Sequence, residues 1–180
     1  MIGEDQAPHV ELSRKIIRRF NSLYGPVFPE PQTILTETPR LKGTDGRKMS
    51  KNYNNYLAPN FSLEEYSAKI EKMITDPTKI KKNDPGHPGI CSVYPLHELY
   101  NPEKKSVHDE CSSGSRGCVD CKKDLSRILD KEFEPFREKR KYYESRENEV
   151  KEIIYEGSKK ARKIACATLE EVTVSMKINF

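Results

Sequence analysis

Apolar residues at Val10, Leu12, Ile16, Ile17, Phe20 and Leu23 recur near helical spacing. Pro8 suits a first turn, so the spacing predicts a helix over 7–23, directly after "GEDQ". Gly25, Pro26, Pro29 and Pro31 end it, and "QTILTE" (32–37), short, β-branched and bounded by prolines, predicts a buried strand. A glycine-bearing loop, "RLKGTDGRKMSKNYNN", follows. In "FSLEEYSAKIEKMIT", Ser62 and Glu65 stand at capping-box spacing. Leu63, Tyr66, Ile70, Met73 and Ile74 form an apolar stripe, which Asp76 and Pro77 are expected to stop. Prolines and glycines from Pro85 to Pro95 predict a loop, then "LHELYN" a short helix. From about Lys122 the pattern is helical almost to the end. Leu125, Ile128, Leu129, Phe133 and Phe136 lie on one helix, and Val150, Ile153, Ile154, Gly157, Ala161, Ile164 and Ala165 on another. The expected fold is mainly α with a small α/β part, a strand-bearing piece over 1–60 and a helical remainder over 61–180.

The chain's 180 residues fit one domain, or a small domain plus part of another. Charged residues make up 33% and Trp is absent, and no apolar run is long enough to span a bilayer, so no membrane role is expected. The start, "MIGEDQAPHVELSRK", lacks the basic-then-apolar order of a secretory signal, which points to a reducing, cytoplasmic setting for the thiols. The net charge is only +4, yet basic residues cluster late: Lys122, Lys123, Arg127 and Lys131, then Arg137, Lys139, Arg140 and Lys141, then Lys159, Lys160, Arg162 and Lys163. Such clusters suit a phosphate backbone and, equally, ordinary solvated helix faces.

Two short runs suit phosphate chemistry. "KMSKN" sets Lys48 and Lys51 around Ser50, in a loop that Gly43 and Gly46 let bend. Two ammonium groups on such a loop can close over a triphosphate and offset charge developing on the leaving pyrophosphate, although a lysine-bearing loop taken alone is more often merely solvated. In "GEDQ", Gly3 permits close backbone approach and Asp5 can accept from a hydroxyl; the plainer account makes Glu4 and Asp5 first-turn carboxylates that complement the helix dipole.

Cys111, Cys118 and Cys121 follow the spacing C-x6-C-x2-C, and Cys91 lies upstream after "HPGI". The C-x2-C end lets two thiolates face one centre, and Gly114 and Gly117 let the intervening loop fold back to present the third. Four soft ligands suit zinc or a cubane iron–sulfur cluster, with the single short pair leaning mildly toward the cluster. Cys166 reads as a packed core thiol, and His87, His97 and His108 as loop-surface residues or supports behind the thiols.

"GEDQAPHVELSRKIIRRFNSLYG", followed by "RLKGTDGRKMSKNYNN", resembles the C-terminal half of the tryptophanyl-tRNA synthetases, class I aminoacyl-tRNA synthetases, and the likeness continues through the helical tail. The resemblance, not periodicity, selects tryptophan over tyrosine. It implies an ATP-dependent ligase that, with Mg2+, activates L-tryptophan to the adenylate and passes it to tRNA(Trp). On that pattern Gly3, Glu4 and Asp5 bind ATP, Gln6 lies near the amino acid, and Lys48, Met49, Ser50, Lys51 and Asn52 form the mobile signature loop, Lys48 and Lys51 acting in catalysis. Asn52 replaces the usual serine. The implied domains are the C-terminal part of a Rossmann nucleotide-binding domain (1–60) and an α-helical anticodon-binding domain (61–180). The family's HIGH-type signature and indole-reading residues are not in this sequence, so the chain is expected to begin in mid-domain. "GCVDCKK" resembles the family members that hold a 4Fe-4S cluster beside the anticodon helices, which implies Cys91, Cys111, Cys118 and Cys121 as its ligands, zinc being the second choice. A homodimer is implied for the full-length enzyme. The rival reading is a noncatalytic tRNA-binding module that keeps the metal site.

Overall fold

The structure, a computed structural model, describes residues 2–35 and 41–178. It is mainly helical and falls into two compact units, Met1–Pro39 with Tyr142–Phe180, and Arg40–Lys141. No described helix is long and apolar enough to cross a membrane.

In the first unit a single 3-10 turn, Glu4–Gln6, leads into α1, Ala7–Tyr24, with Pro8 in its first turn as the spacing predicts. Gly25, at φ 102°, turns the chain, and the following segment lies back along α1. Asn21 accepts from the amides of Val27 (3.2 Å) and Phe28 (3.1 Å) and donates to the Phe28 carbonyl at 2.7 Å. Phe20 meets Phe28 edge-on at 5.1 Å, Arg14 donates to the Pro31 carbonyl at 2.8 Å, and Arg18 forks onto Glu30. The strand expected at "QTILTE" is not formed among the described residues. Leu35 makes one isolated parallel bridge with Ile2, and Ile34 and Leu35 are 56% and 44% exposed. A strand is stabilised by a neighbour along its whole length, and among the described residues Ile2 alone pairs with it; Thr36 and Glu37 lie outside the described residues. The unit's other helix, α6, spans Glu147–Ser175 and has no buried residue, so its stripe of Ile153, Ile154 and Ile164 is exposed. Cys166 is exposed too, which corrects its reading as a core thiol.

The second unit is built on α2 (Leu63–Glu71), α3 (Tyr94–Tyr100), α4 (Lys104–Ser112) and α5 (Cys118–Glu144, continuing past the unit's end). The capping box forms as read: Ser62 Oγ accepts from the Glu65 amide at 3.3 Å, and the Glu65 carboxylate accepts from the Ser62 amide at 2.8 Å. Tyr66, Ile70 and Met73 then enter a core with Phe61, Val93, Leu96, Leu125 and Leu129. Helix α2 ends at Glu71, well before Asp76, and Ile74 is 53% exposed. The Lys122 ammonium explains the early stop, since it takes the carbonyls of Glu71 (2.9 Å) and Met73 (2.7 Å) that a helix end leaves unpaired. Helix α5 starts at Cys118 rather than near Lys122, and α4, short and weakly patterned, was not anticipated.

Candidate functional site

The first unit carries "GEDQ" on its opening turn. Glu4, Asp5 and Gln6 are exposed, the Gln6 amide nitrogen donates to the Gly3 carbonyl at 3.0 Å, and the Gln6 side chain donates to Asp5 at 3.2 Å.

The lysine-bearing loop belongs to the second unit. Lys42 and Lys48 form an isolated antiparallel bridge, and the Gly43 amide donates to the Arg47 carbonyl at 2.7 Å, so residues 42–48 make a narrow turn. The side chain of Asn55, only 2% exposed, holds the rest in place. Its Nδ2 donates to Asp45 Oδ1 (2.7 Å) and to the Lys48 carbonyl (3.0 Å), while its Oδ1 accepts from the Ser50 amide (2.7 Å). The Asn55 amide, with Arg47 adding to it against the effect of burial, draws the Asp45 carboxyl down to about 2. Ser50 Oγ accepts from the Asn52 amide at 3.2 Å, Met49 is half-buried, and Lys48 and Lys51 are exposed. Lys69 on α2 reaches over to the Asn54 carbonyl at 2.8 Å, tying the loop's end to the helix. Sequence reasoning missed Asn55, which nothing in the sequence distinguishes from its neighbours Asn52 and Asn54.

The four cysteines come from three places. Cys91 follows the loop before α3, Cys111 sits in the last turn of α4, and Cys118 and Cys121 occupy the first turn of α5. All four line one pocket, with Arg116 and the apolar side chains of Val93 and Val107. Two glycines permit the approach. Gly86 donates its amide to the Cys111 carbonyl at 2.8 Å, where a Cβ would lie 2.6 Å from the Cys111 sulfur. Gly114, at φ 78°, closes α4 where a Cβ would stand 2.3 Å from the Asn83 carbonyl oxygen. Behind the pocket, fully buried His97 accepts at Nδ1 from the Asn101 amide (3.0 Å), leaving Nε2–H to donate to the Cys121 carbonyl (3.1 Å) and approach its sulfur (3.3 Å). Burial lowers the His97 pKa, in keeping with this neutral form. The loop before Cys91 is pinned by buried Asp76, which accepts from the Thr78 hydroxyl (2.6 Å) and the His87 amide (2.8 Å) and pairs with His87 Nδ1 at 2.7 Å.

Burial pushes the Cys121 thiol up to about 11, against the pull of the adjacent Arg116 guanidinium, and raises Cys111 as well. Unligated, Cys111 and Cys121 therefore favour the protonated thiol, and a bound metal must displace those protons. Among the described residues no three His, Cys, Asp or Glu side chains close on a point as the ligands of one ion. The donor set, four sulfurs around a shared apolar pocket beside the Arg116 guanidinium, is chemically suited to a soft metal or metal–sulfur group.

Part of the late basic charge is structural. Lys122 serves α2, and Arg137 donates to the Phe61 carbonyl at 3.1 Å and pairs with Asp130 at 2.7 Å.

The family model described as tRNA synthetases class I (W and Y) matches residues 1–134. A tryptophan–tRNA ligase of Aquifex aeolicus is 51% identical over 180 residues, 98% of this chain and 46% of its own length. That of Thermotoga maritima is 43% identical over 182 residues, 99% of this chain and 56% of its own. A crystal structure of tryptophanyl-tRNA synthetase from Campylobacter jejuni, complexed with ADP and tryptophan, is similar at a TM-score of 0.75 and 28% identity, over 98% of this chain and 56% of that one. The chain spans about half the length of the curated relatives it matches.

Proposed function

Since the chain belongs to the class I tRNA synthetase family of tryptophan and tyrosine enzymes, we propose that it is part of a cytoplasmic tryptophan–tRNA ligase. In this reading it contributes to ATP-dependent formation of tryptophanyl-adenylate and to transfer of tryptophan to tRNA(Trp). The observation that carries it is the near-complete coverage by relatives named tryptophan–tRNA ligase, at up to 51% identity, together with both family motifs in order. Residues 1–60 are read as the end of the Rossmann catalytic domain and 61–180 as the helical anticodon-binding domain, with a homodimer as the full-length assembly.

Gly3, Glu4 and Asp5 would bind ATP and Gln6 the amino acid. The signature loop, Lys48–Asn52, would fold over the triphosphate and its Mg2+, with Lys48 and Lys51 offsetting charge on the departing pyrophosphate. The narrow turn held by Asn55 supports this, because it presents both lysines on one short exposed segment. Lys48 and Lys51 are both kept, so replacing the family's usual serine by Asn52 leaves the charge role intact.

Cys91, Cys111, Cys118 and Cys121 would hold a 4Fe-4S cluster, which would supply a rigid covalent tie between the loop before α3, α4 and the start of α5. The rest is done by the chain itself: Asp76 and His97 fix the segments bearing Cys91 and Cys121, and α5 displays its remaining lysines toward solvent. Zinc is the second choice.

The test is tryptophan-dependent ATP–pyrophosphate exchange and charging of tRNA(Trp), run with the chain alone and with the other half of a family catalytic domain supplied. Exchange in the second arm that falls about 10²- to 10³-fold in Lys48→Ala or Lys51→Ala supports the ligase. Binding of tRNA with no exchange in either arm makes it a noncatalytic tRNA-binding module.

A further inference from the structure

We propose that Arg116 is the cationic counterpart of the metal–sulfur group in the four-cysteine pocket, its Nε–H donating to a sulfur of the bound group and setting both its lifetime and its reduction potential. The proposal rests on the cluster reading of the pocket.

Arg116 stands in the turn between α4, which ends with Cys111, and α5, which begins at Cys118, so the backbone that delivers two thiols also delivers this charge. Its side chain is 16% exposed. The two terminal nitrogens are used: Nη1 donates to Glu110 of α4 at 2.6 Å, and Nη2 pairs with Asp124 of α5. Those carboxylates orient the planar guanidinium and leave Nε closed to solvent without a well-aligned hydrogen bond, on the side that faces the Cys121 thiol. A buried donor without a well-aligned acceptor is costly and uncommon in a well-packed region, and the neutral Cys121 thiol is a weak acceptor, so the position suits an anionic sulfur there.

The neighbouring space shows what that acceptor is. Arg116 lines the same pocket as all four cysteines, and the other described residues lining it, Thr75, Val93, Tyr94, Val107 and Gly117, are uncharged. A cluster ligated by four thiolates is an anion in an apolar surrounding, where an uncompensated charge is expensive. Hydrogen bonds to cluster sulfurs and net local charge are the means by which a protein sets cluster stability and potential. A purely structural Arg116, a clip between Glu110 and Asp124, would leave both properties unchanged once the chain is folded.

The full chain, as wild type, Arg116→Lys, Arg116→Gln and Arg127→Gln, is reconstituted anaerobically with iron and sulfide. Arg127 pairs with the same Asp124 but is 72% exposed, so it controls for charge removed from α5. Iron and sulfide content, visible absorption, rate of cluster loss to a chelator and midpoint potential are measured, with helical circular dichroism as the folding check. Wild type and Arg127→Gln should load equally and behave alike. Arg116→Gln should lose its cluster about 10- to 100-fold faster, with a more negative midpoint, because the reduced, more anionic state has lost its cation. Arg116→Lys, which keeps the charge and loses the Nε–H, should fall between them and decides the matter if Arg116→Gln does not fold. A loaded Arg116 variant with wild-type lifetime and potential overturns the assignment while leaving the cluster standing. A wild type that takes up zinc but no iron or sulfide overturns the cluster reading and this assignment together.

Discussion

Replacing Asn55 by alanine isolates what holds the signature loop in shape. The amide makes three contacts, to Asp45 Oδ1, the Lys48 carbonyl and the Ser50 amide, at 2.7–3.0 Å from a position 2% exposed. Asn55→Ala leaves the Lys48 carbonyl and the Ser50 amide without those partners. An unsatisfied backbone group costs about 1–3 kcal/mol when buried, and the half-exposed loop lets water recover part of that. The net loss should be about 2 kcal/mol, roughly a thirtyfold rise in the loop's opening constant. Amide hydrogen exchange reads this directly: the Ser50 amide should lose about that factor of protection, while amides of α2 and α5 keep theirs. A second readout is independent of exchange. The Asn55 amide is the chief cause of the depressed Asp45 carboxyl, near 2, so the variant's Asp45 should titrate closer to the ordinary carboxylate range. Asn55→Asp separates the two contributions, because it keeps the acceptor for Ser50 while placing a second carboxylate beside Asp45. Unchanged Ser50 protection together with an unshifted Asp45 titration in Asn55→Ala would refute the assignment of Asn55 as the loop's anchor.

Ile70→Ala, at a position with no exposure in the α2–α5 core, should lower stability by about 2–5 kcal/mol, seen as a reduced urea midpoint at unchanged slope. Asp76 is held well below the usual carboxylate range, first by the Thr78 hydroxyl and then by His87. A depressed folded pKa gives stability that is complete above the unfolded value and is lost as pH falls through the folded one. Asp76→Asn should therefore flatten the acid limb of a stability–pH curve and leave the limb above neutrality alone. In chain loaded with the proposed cluster, its removal with a chelator should expose amides near Cys111 and Cys118 to exchange before those of Leu125 and Leu129; simultaneous exposure would mean that the pocket and the core open as one.

Much of the helical organisation was legible because its signals are local. The capping box at Ser62 and Glu65, Pro8 at the start of α1 and the 3.6-residue stripe through Leu125 and Leu129 each depend on neighbours a turn away, and each appears where expected. The misreadings were non-local. The end of α2 is set by Lys122, fifty-one residues further on, so Asp76 and Pro77 looked like the stop. The strand at "QTILTE" had the right residue types, but strand formation is decided by a partner that periodicity does not reveal, and among the described residues only Ile2 bridges it. Cys166 and the stripe of α6 show the converse: amphipathic spacing predicts a helix with an apolar side, and says nothing of whether that side is covered. For the site, cysteine spacing pointed to a shared pocket, whereas Asn55, Arg116 and His97 act through contacts that no motif records.

The first turns of α5 concentrate these separate duties into a few consecutive residues. Cys118 and Cys121 face the pocket, Lys122 closes the end of α2, Asp124 anchors Arg116, and Leu125 and Leu129 enter the core. Helical geometry makes this possible, since residues three and four apart share a face while their neighbours turn to others. Cys91 and Cys121 also pack against the apolar core, so pocket and core meet along one surface. A ligand that fixes the sulfurs therefore fixes the orientation of α5 against α2, and through the capping bond of Lys122 it fixes where α2 ends. Any group bound by folded but not unfolded chain adds its binding free energy to stability, and here that energy enters at the point where the core's two principal helices are joined. A group held by the four-thiol pocket would in this way brace the helical scaffold without any electron transfer being required of it.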